Sequence, residues 1–120
     1  MNVLIVEDDP QVAGLLHRLV REWGHAASIA ATGMDALHRL RDAPFDLVLL
    51  DVFLPDANGD ELLPRINEFW SGRGIVVLTG SDSVDLEEKL RRQGVLYFMM
   101  KPVNISELEA IVRHIAGPPP

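Results

Sequence analysis

Five short apolar runs alternate with helix-like segments along this chain, and this alternation restricts the fold more than any other feature. The runs are VLIV (3–6), AASI (26–29), LVLL (47–50), IVVL (75–78) and VLYFMM (95–100). Because each run is continuous and does not alternate with polar residues, the pattern predicts strands that are covered on both faces, as in a parallel sheet.

Segments with helical periodicity separate these runs. In the first, DPQVAGLLHRLVREWG, Pro10 suits the first turn of a helix and Gly24 suits its C-terminal cap. The apolar stripe of this helix would consist of Val12, Leu15, Leu16, Leu19, Val20 and Trp23. In the last segment, Asn104 and Glu107 predict a capping box, and Gly117 ends the helix.

The remaining helical segments, at 33–41, 60–70 and 83–93, are shorter or less regular. Pro64 either lies in the first turn of its helix or kinks it. Five repeats of strand then helix imply right-handed crossovers, so the sequence predicts an α/β fold: a doubly wound five-stranded parallel sheet with helices on both faces. We expect one domain over residues 1–117, with 118–120 as a proline tail or linker stub.

The composition narrows the classes of partner. With 120 residues and 48% hydrophobic content, the chain has enough apolar material for one core. A net charge of -7 argues against direct binding of nucleic acid, and the absence of cysteine excludes disulfides and thiolate chemistry. No apolar run approaches the ~20 residues that span a bilayer, so we expect a cytoplasmic protein without a membrane partner.

Four of the predicted strands lead into polar side chains. In chain order these are Glu7, Asp8 and Asp9, then Asp51, then Thr79, and finally Lys101. Ligands of open α/β sheets bind outside the carboxyl ends of the strands, so we expect these side chains to lie at one site.

Neighbouring carboxylates at such an edge repel one another unless a cation lies between them. Glu7, Asp8 and Asp51 carry three negative charges, which one Mg²⁺ together with Lys101 would balance. Carboxylates without a soft ligand favour Mg²⁺ or Mn²⁺. A carboxylate beside such an ion and an ammonium has what phosphoryl transfer requires, and Thr79 adds a hydroxyl donor.

Four segments, VEDDP, LLDVFLPDANGDEL, VVLTG and GVLYFMMKP, occur in this order within the alternating pattern. Together they resemble the receiver domain of bacterial two-component response regulators, the CheY-like superfamily, and the resemblance covers essentially the whole chain. The positions that match the family are Glu7, Asp8, Asp51, Pro55, Gly59, Thr79, Phe98, Lys101 and Pro102.

The resemblance implies a flavodoxin-like sheet with strand order 2-1-3-4-5 and a domain that is switched by phosphorylation. A sensor histidine kinase or a phosphotransfer protein would donate a phosphoryl group from histidine to Asp51. Asp8, Asp51 and the backbone carbonyl of Phe53 would hold Mg²⁺, with Mn²⁺ as the alternative ion, while Glu7 would ligate through water. Lys101 would pair with the phosphate.

The resemblance also implies a conformational change. Thr79 would bond a phosphoryl oxygen, Phe98 would rotate inward, and Lys101–Pro102 would be a cis peptide. These changes would bias a surface formed by the fourth helix, the fifth strand and the fifth helix, through which the domain would also dimerise. The domain would be no enzyme beyond its own phosphorylation and autodephosphorylation, and its downstream effector or output domain is not written in this sequence.

Two residues depart from the family pattern. Phe53 stands where a polar residue is common, and we expect its ring to hinder the attacking water and slow phosphoryl loss. Tyr97 replaces a common small or acidic residue, and it either enlarges a partner surface or fills the core.

Other interpretations of the same residues stay open at this stage. Asp8 and Asp9 precede Pro10 and can cap the first helix, which we expect of Asp9. Phe98 can be a core residue and not a switch. The whole chain can be a receiver-like protein-interaction module that phosphorylation does not regulate. It can also be an aspartyl-phosphate hydrolase of the haloacid dehalogenase type, although Phe53 stands where those enzymes have a second Asp.

Overall fold

Strands and helices alternate strictly in the computed structural model, which describes residues 1–118. Pro119 and Pro120, part of the predicted proline tail, lie outside the described residues. The strands are β1 (Asn2–Val6), β2 (Ala26–Ala30), β3 (Leu47–Asp51), β4 (Gly74–Thr79) and β5 (Tyr97–Met100). The helices are α1 (Pro10–Glu22), α2 (Gly33–Asp42), α3 (Gly59–Asn67), α4 (Val84–Arg92) and α5 (Ile105–Ala116).

All five strands are parallel and lie in the order β2-β1-β3-β4-β5. The predicted doubly wound sheet and its strand order are therefore confirmed. Val6 at the end of β1 pairs with Leu50, and Asp51 at the end of β3 pairs with Leu78. This register brings the carboxyl ends of β1, β3 and β4 to the same edge of the sheet.

The core has two halves, one on each face of the sheet. Along β3, Val48 and Leu50 face a cluster that α2, α3 and α4 cover, whereas Leu47 and Leu49 face a cluster that α1 and α5 cover. Every residue of β3 is buried. The continuous apolar runs of the sequence arise because successive side chains enter these two separate halves of the core.

Side chains cap four of the five helices, and two of these caps, Asp9 and Asn104, are predicted from the sequence. Asp9, Thr32, Ser83 and Asn104 each accept a backbone N–H from the first turn of their helix. Gly117 follows α5 with φ of 80°, a conformation that favours glycine. None of these helices, within residues 1–118, combines the length and apolar character needed to cross a membrane.

Helix α3 is shorter than the predicted segment 60–70, and of the two alternatives for Pro64 the structure excludes the first turn. It ends at Asn67 and not near residue 70, and Pro64 lies within it, beyond the first turn. The backbone N–H groups of Phe69 and Trp70 both donate to the Ile66 carbonyl, which closes the last turn. The chain then turns, and the Trp70 indole donates to the Phe45 carbonyl over 3.2 Å.

We expect Leu50→Ala to lower the free energy of unfolding by about 2–5 kcal/mol, because it leaves a cavity beneath the central strand. The Leu50 side chain is fully buried. Urea unfolding measures the loss. As a control, Val84→Ala trims a side chain that is 65% exposed and should change the free energy by less than about 0.5 kcal/mol. Equal losses in the two variants would contradict this description of the core.

Candidate functional site

The carboxyl ends of the strands bring three carboxylates together. Glu7 directly follows β1 and is 2% exposed, and Asp51 ends β3 and is 6% exposed. Asp8 is exposed at the rim. One carboxylate oxygen from each of Glu7, Asp8 and Asp51 lies within 4.8 Å of the other two. The structure therefore brings together the three acidic side chains that the sequence predicts to meet.

Lys101 reaches this cluster from the end of β5. Its ammonium lies 2.5 Å from Glu7 Oε1 and 3.5 Å from Asp51 Oδ1. The Lys101 backbone N–H donates to the Thr79 carbonyl over 2.7 Å, which fixes the start of the loop after β5. The Lys101–Pro102 peptide bond is cis. In this structure the main partner of Lys101 is the carboxylate of Glu7.

Burial and charge act together on the titration of this pair. Burial raises the pKa of Glu7 above its ordinary value of 4.5, as does the hydrogen bond with Asp51, and the contact with Lys101 only partly opposes them. Burial alone would lower the pKa of Lys101, but its hydrogen bond to Glu7 and the negative charges of Asp51 and Glu7 raise that pKa above 10.5. The site is thus short of positive charge, because one ammonium faces several carboxylates.

The loop between β3 and α3 is held in a compact turn. The Phe53 N–H donates to Asp51 Oδ1 over 3.4 Å, and the Gly59 N–H donates to the Val52 carbonyl over 2.7 Å. A Cβ atom at Gly59 would lie 3.2 Å from Val52 Cγ1, so a larger residue would crowd the base of the loop. The Phe53 ring is 49% exposed, at the surface of the site.

The donor atoms of this cluster fit a hard divalent cation. Glu7, Asp8 and Asp51 offer carboxylate oxygens only, and the Phe53 carbonyl belongs to the adjoining loop. Oxygen ligands of this kind suit Mg²⁺ or Mn²⁺. Three carboxylates beside the single ammonium of Lys101 also leave two negative charges for such an ion to balance.

Thr79 and Phe98, the two predicted switch residues, lie on adjacent strands. Thr79 is fully buried, and its hydroxyl oxygen accepts the Ser81 N–H over 3.1 Å. Phe98 is half-buried and packs against the edge of the core. The Arg91 guanidinium carbon lies 5.6 Å from the centre of the Phe98 ring, and Arg91 also pairs with Glu87 over 2.8 Å. The sequence did not predict this contact, since Arg91 reads as an ordinary charge on a solvated helix.

Asp9 and Asp56 have roles outside the acidic cluster. Asp9 caps α1 through its contact with the Gln11 N–H, as expected. Asp56, in the β3–α3 loop, accepts backbone N–H groups from Gly33 and Met34 at the start of α2. This second contact was missed, because its partners are 22 and 23 residues away and no local pattern reveals them.

We expect Asp51→Asn to raise the free energy of unfolding of the metal-free protein by about 1 kcal/mol. Like charges about 5 Å apart repel by roughly 3 kcal/mol at an effective dielectric constant of about 20, and the lost contact with Lys101 offsets part of that gain. Urea unfolding with a chelator measures the change. Glu88→Gln, which removes one exposed charge from α4, is the matched control and should have almost no effect. An Asp51→Asn variant less stable than the wild type would contradict the repulsion.

Comparison with known proteins identifies the family of this chain. The family model of the response regulator receiver domain matches residues 3–113. The transcriptional regulatory protein CitT of Halalkalibacterium halodurans is 38% identical over 106 residues, which are 85% of this chain and 46% of CitT. A receiver domain from Methanospirillum hungatei superposes with a TM-score of 0.89 at 30% identity, covering 96% of this chain and 93% of that one.

A further solved structure is similar to this chain and is described with a phosphorylated aspartic acid, a calcium ion and citrate. It is a response regulator protein from Burkholderia pseudomallei, 25% identical with a TM-score of 0.85, covering 93% of this chain and 66% of that one. The chain spans 25% of the length of the transcriptional regulatory protein ZraR of Klebsiella oxytoca and 50% of that of SilR of Salmonella typhimurium. Since the family match extends over nearly all of its length, this chain belongs to the response regulator receiver domain family.

Proposed function

We propose that the chain accepts a phosphoryl group on Asp51 from a phosphohistidine of a sensor histidine kinase or phosphotransfer protein. The observation that carries the proposal is the convergence of Glu7, Asp8 and Asp51 within 4.8 Å, with the Lys101 ammonium 3.5 Å from Asp51 Oδ1. Phosphoryl transfer needs a nucleophilic carboxylate and positive charge beside it, which the Lys101 ammonium and a divalent cation held by the carboxylates would supply together.

In the proposed step, a carboxylate oxygen of Asp51 forms a bond to phosphorus while the phosphorus–nitrogen bond of the donor breaks. The electron pair of that bond returns to the imidazole nitrogen, which takes up a proton. Lys101 lies where its charge can stabilise the negative oxygens of the transferring group. To do so, its ammonium would move away from Glu7, its nearer partner.

Mg²⁺, or Mn²⁺ in its place, is the proposed cofactor. Asp8, Asp51 and the Phe53 carbonyl would hold the ion, and Glu7 would contact it through water. The ion would supply positive charge next to the phosphoryl oxygens. Support comes from the uniform oxygen chemistry of the cluster and from the related Burkholderia pseudomallei protein, whose structure is described with a calcium ion and a phosphorylated aspartic acid.

The proposed response to phosphorylation involves Thr79 and Phe98. The Thr79 hydroxyl would leave the Ser81 N–H for a phosphoryl oxygen, and Phe98 would move into the space it vacates. Phe98 would then leave Arg91, which now stacks on it. Thr79 and Phe98 would thus have different contacts in the unphosphorylated and phosphorylated states, and such a difference is what allows phosphorylation to shift the equilibrium between them.

The surface that would respond consists of α4, β5 and α5. β5 is an edge strand, and Met100 in it is 45% exposed. Val84, the first residue of α4, and Leu96, which directly precedes β5, are exposed apolar side chains as well. A further copy of this chain, or a downstream effector, is the proposed partner of this surface. Because several relatives are named transcriptional regulatory proteins and are longer than this chain, an output domain that regulates transcription is part of the proposal.

We expect incubation with Mg²⁺ and acetyl phosphate to add one phosphoryl group to the wild type and none to Asp51→Asn. Intact-mass spectrometry measures the addition. Asp46→Asn is a control outside the cluster and should be phosphorylated like the wild type, since Asp46 accepts the backbone N–H of Asn2 at the opposite end of β1.

Two results would overturn the proposal. An unmodified wild type under these conditions would favour an interaction module that phosphorylation does not regulate. Phosphorylation that persists in Asp51→Asn would mean that another residue is the acceptor. Both outcomes are visible in the same spectrum, and tryptic peptides locate the modified residue.

We expect Phe53→Asn to shorten the lifetime of the phosphorylated protein. Phe53 is half-exposed and its backbone N–H contacts Asp51 Oδ1, so we expect its ring to hinder the attacking water, which an amide at this position can instead orient. The decay of the phosphorylated mass after removal of acetyl phosphate gives the rate. Phe69→Asn changes another partly exposed phenylalanine, away from the cluster, as a control. Equal rates for Phe53→Asn and wild type would contradict a shielding role.

A further inference from the structure

Asp56, at the tip of the β3–α3 loop, forms hydrogen bonds with helix α2, which contributes no side chain to the acidic cluster. Asp56 Oδ1 accepts the Gly33 N–H over 2.8 Å, and Asp56 Oδ2 accepts the Met34 N–H over 2.9 Å. Both carboxylate oxygens thus bind the first turn of α2, whose N–H groups carry partial positive charge. These hydrogen bonds lower the pKa of Asp56 below 3.8, so the side chain is ionised at neutral pH.

Asp56 is not needed as the ordinary cap of this helix. Thr32 already fills that position, since its hydroxyl accepts the Asp35 N–H over 3.0 Å. The Asp56 contact adds two hydrogen bonds to donors that a local cap leaves free. Unlike Thr32, Asp56 does not belong to the segment next to the helix. It lies in the β3–α3 loop, which also contains Phe53.

The junction between loop and helix is closely packed. A Cβ atom at Gly33 would lie 3.3 Å from Leu62 Cδ1, 3.4 Å from Asp56 Oδ1 and 3.5 Å from Ala57 Cβ. The start of α2 therefore lies within van der Waals distance of the loop at Asp56 and Ala57. Such an approach lets the Asp56 carboxylate hold both N–H groups at once.

The conformation of the loop follows from its two attachments. At its base the Gly59 N–H binds the Val52 carbonyl, and within it the Leu54 N–H binds the Ala57 carbonyl over 3.2 Å. At its tip Asp56 binds α2. Phe53 lies between these attachments and forms an isolated bridge with Asn58. With both ends held, the Phe53 carbonyl has little freedom to move relative to Asp51.

We propose that Asp56 is a positioning residue for the cation site: by tying the β3–α3 loop to the start of α2, it holds the Phe53 carbonyl where the ion requires it. This inference rests on the proposed function, because it assumes that the cluster binds a divalent cation through that carbonyl. Groups that orient metal ligands without touching the metal typically contribute about 10-fold or more to affinity.

The test compares Asp56→Ala with Thr32→Ala, which removes the other cap of the same helix and leaves the loop untouched. Both variants should lower the melting temperature by a few degrees, because each loses a helix cap. Only Asp56→Ala should weaken Mg²⁺ binding, by about 10-fold in the dissociation constant measured by calorimetry. Asp56→Asn keeps an acceptor oxygen in place and should recover most of the affinity.

Two further comparisons identify the cause of any change. Asp35→Asn removes a negative charge from the same turn of α2 without touching the loop, and it measures the purely electrostatic effect on Mg²⁺. If Asp56→Ala binds Mg²⁺ as tightly as Thr32→Ala does, or no more weakly than Asp35→Asn, Asp56 is a cap alone and the inference is wrong. If the wild type itself fails to bind Mg²⁺, the proposed cation site is wrong, and the inference falls with it.

Discussion

The ion pair between Lys101 and Glu7 joins two strands that are not neighbours in the sheet. β3 and β4 separate β1 from β5, and the two residues are 94 positions apart in sequence. Burying a carboxylate without a partner costs several kcal/mol, and the Lys101 ammonium offsets part of this cost for Glu7. Three carboxylates and one ammonium still leave two negative charges uncompensated, and this surplus is the electrostatic basis for the proposed divalent cation.

The sequence predicted the sheet and the members of the acidic cluster for the same physical reason. A parallel sheet that is covered on both faces requires continuous apolar strands, and its strands all point the same way. Once the runs were recognised, their last residues had to meet at one edge. The alternation thus predicts that Glu7 and Asp51 lie at the same edge of the sheet, and the strand order implied by the family resemblance makes β1 and β3 neighbours, which brings the two side chains together.

Other contacts depend on loop conformation and on side-chain rotamers, which hydrophobic periodicity does not constrain. The contact of Asp56 has no local signal in the sequence, because its partners lie at the start of a helix that precedes it by more than 20 residues. Arg91 looked like one of several charges on α4, and its place over the Phe98 ring arises from how that helix packs against β5. The end of α3 was misplaced because Trp70 leaves the helix to bind the Phe45 carbonyl. In each case a tertiary contact outweighs the local signal.

These contacts divide the site into a rigid part and an adaptable part. Asp51 and the loop after it are buried or held by hydrogen bonds at both ends, which lowers the conformational entropy that ion binding would cost. The other part of the site consists of side chains whose present contacts can be exchanged. Lys101 contacts the Glu7 carboxylate, the Thr79 hydroxyl accepts a backbone N–H, and the Phe98 ring contacts a guanidinium. A phosphoryl group on Asp51 would compete directly for the first two, and the departure of Thr79 would free the space that Phe98 needs. The molecule can thus keep Asp51, the proposed nucleophile, fixed while the residues that would report phosphorylation exchange one set of contacts for another.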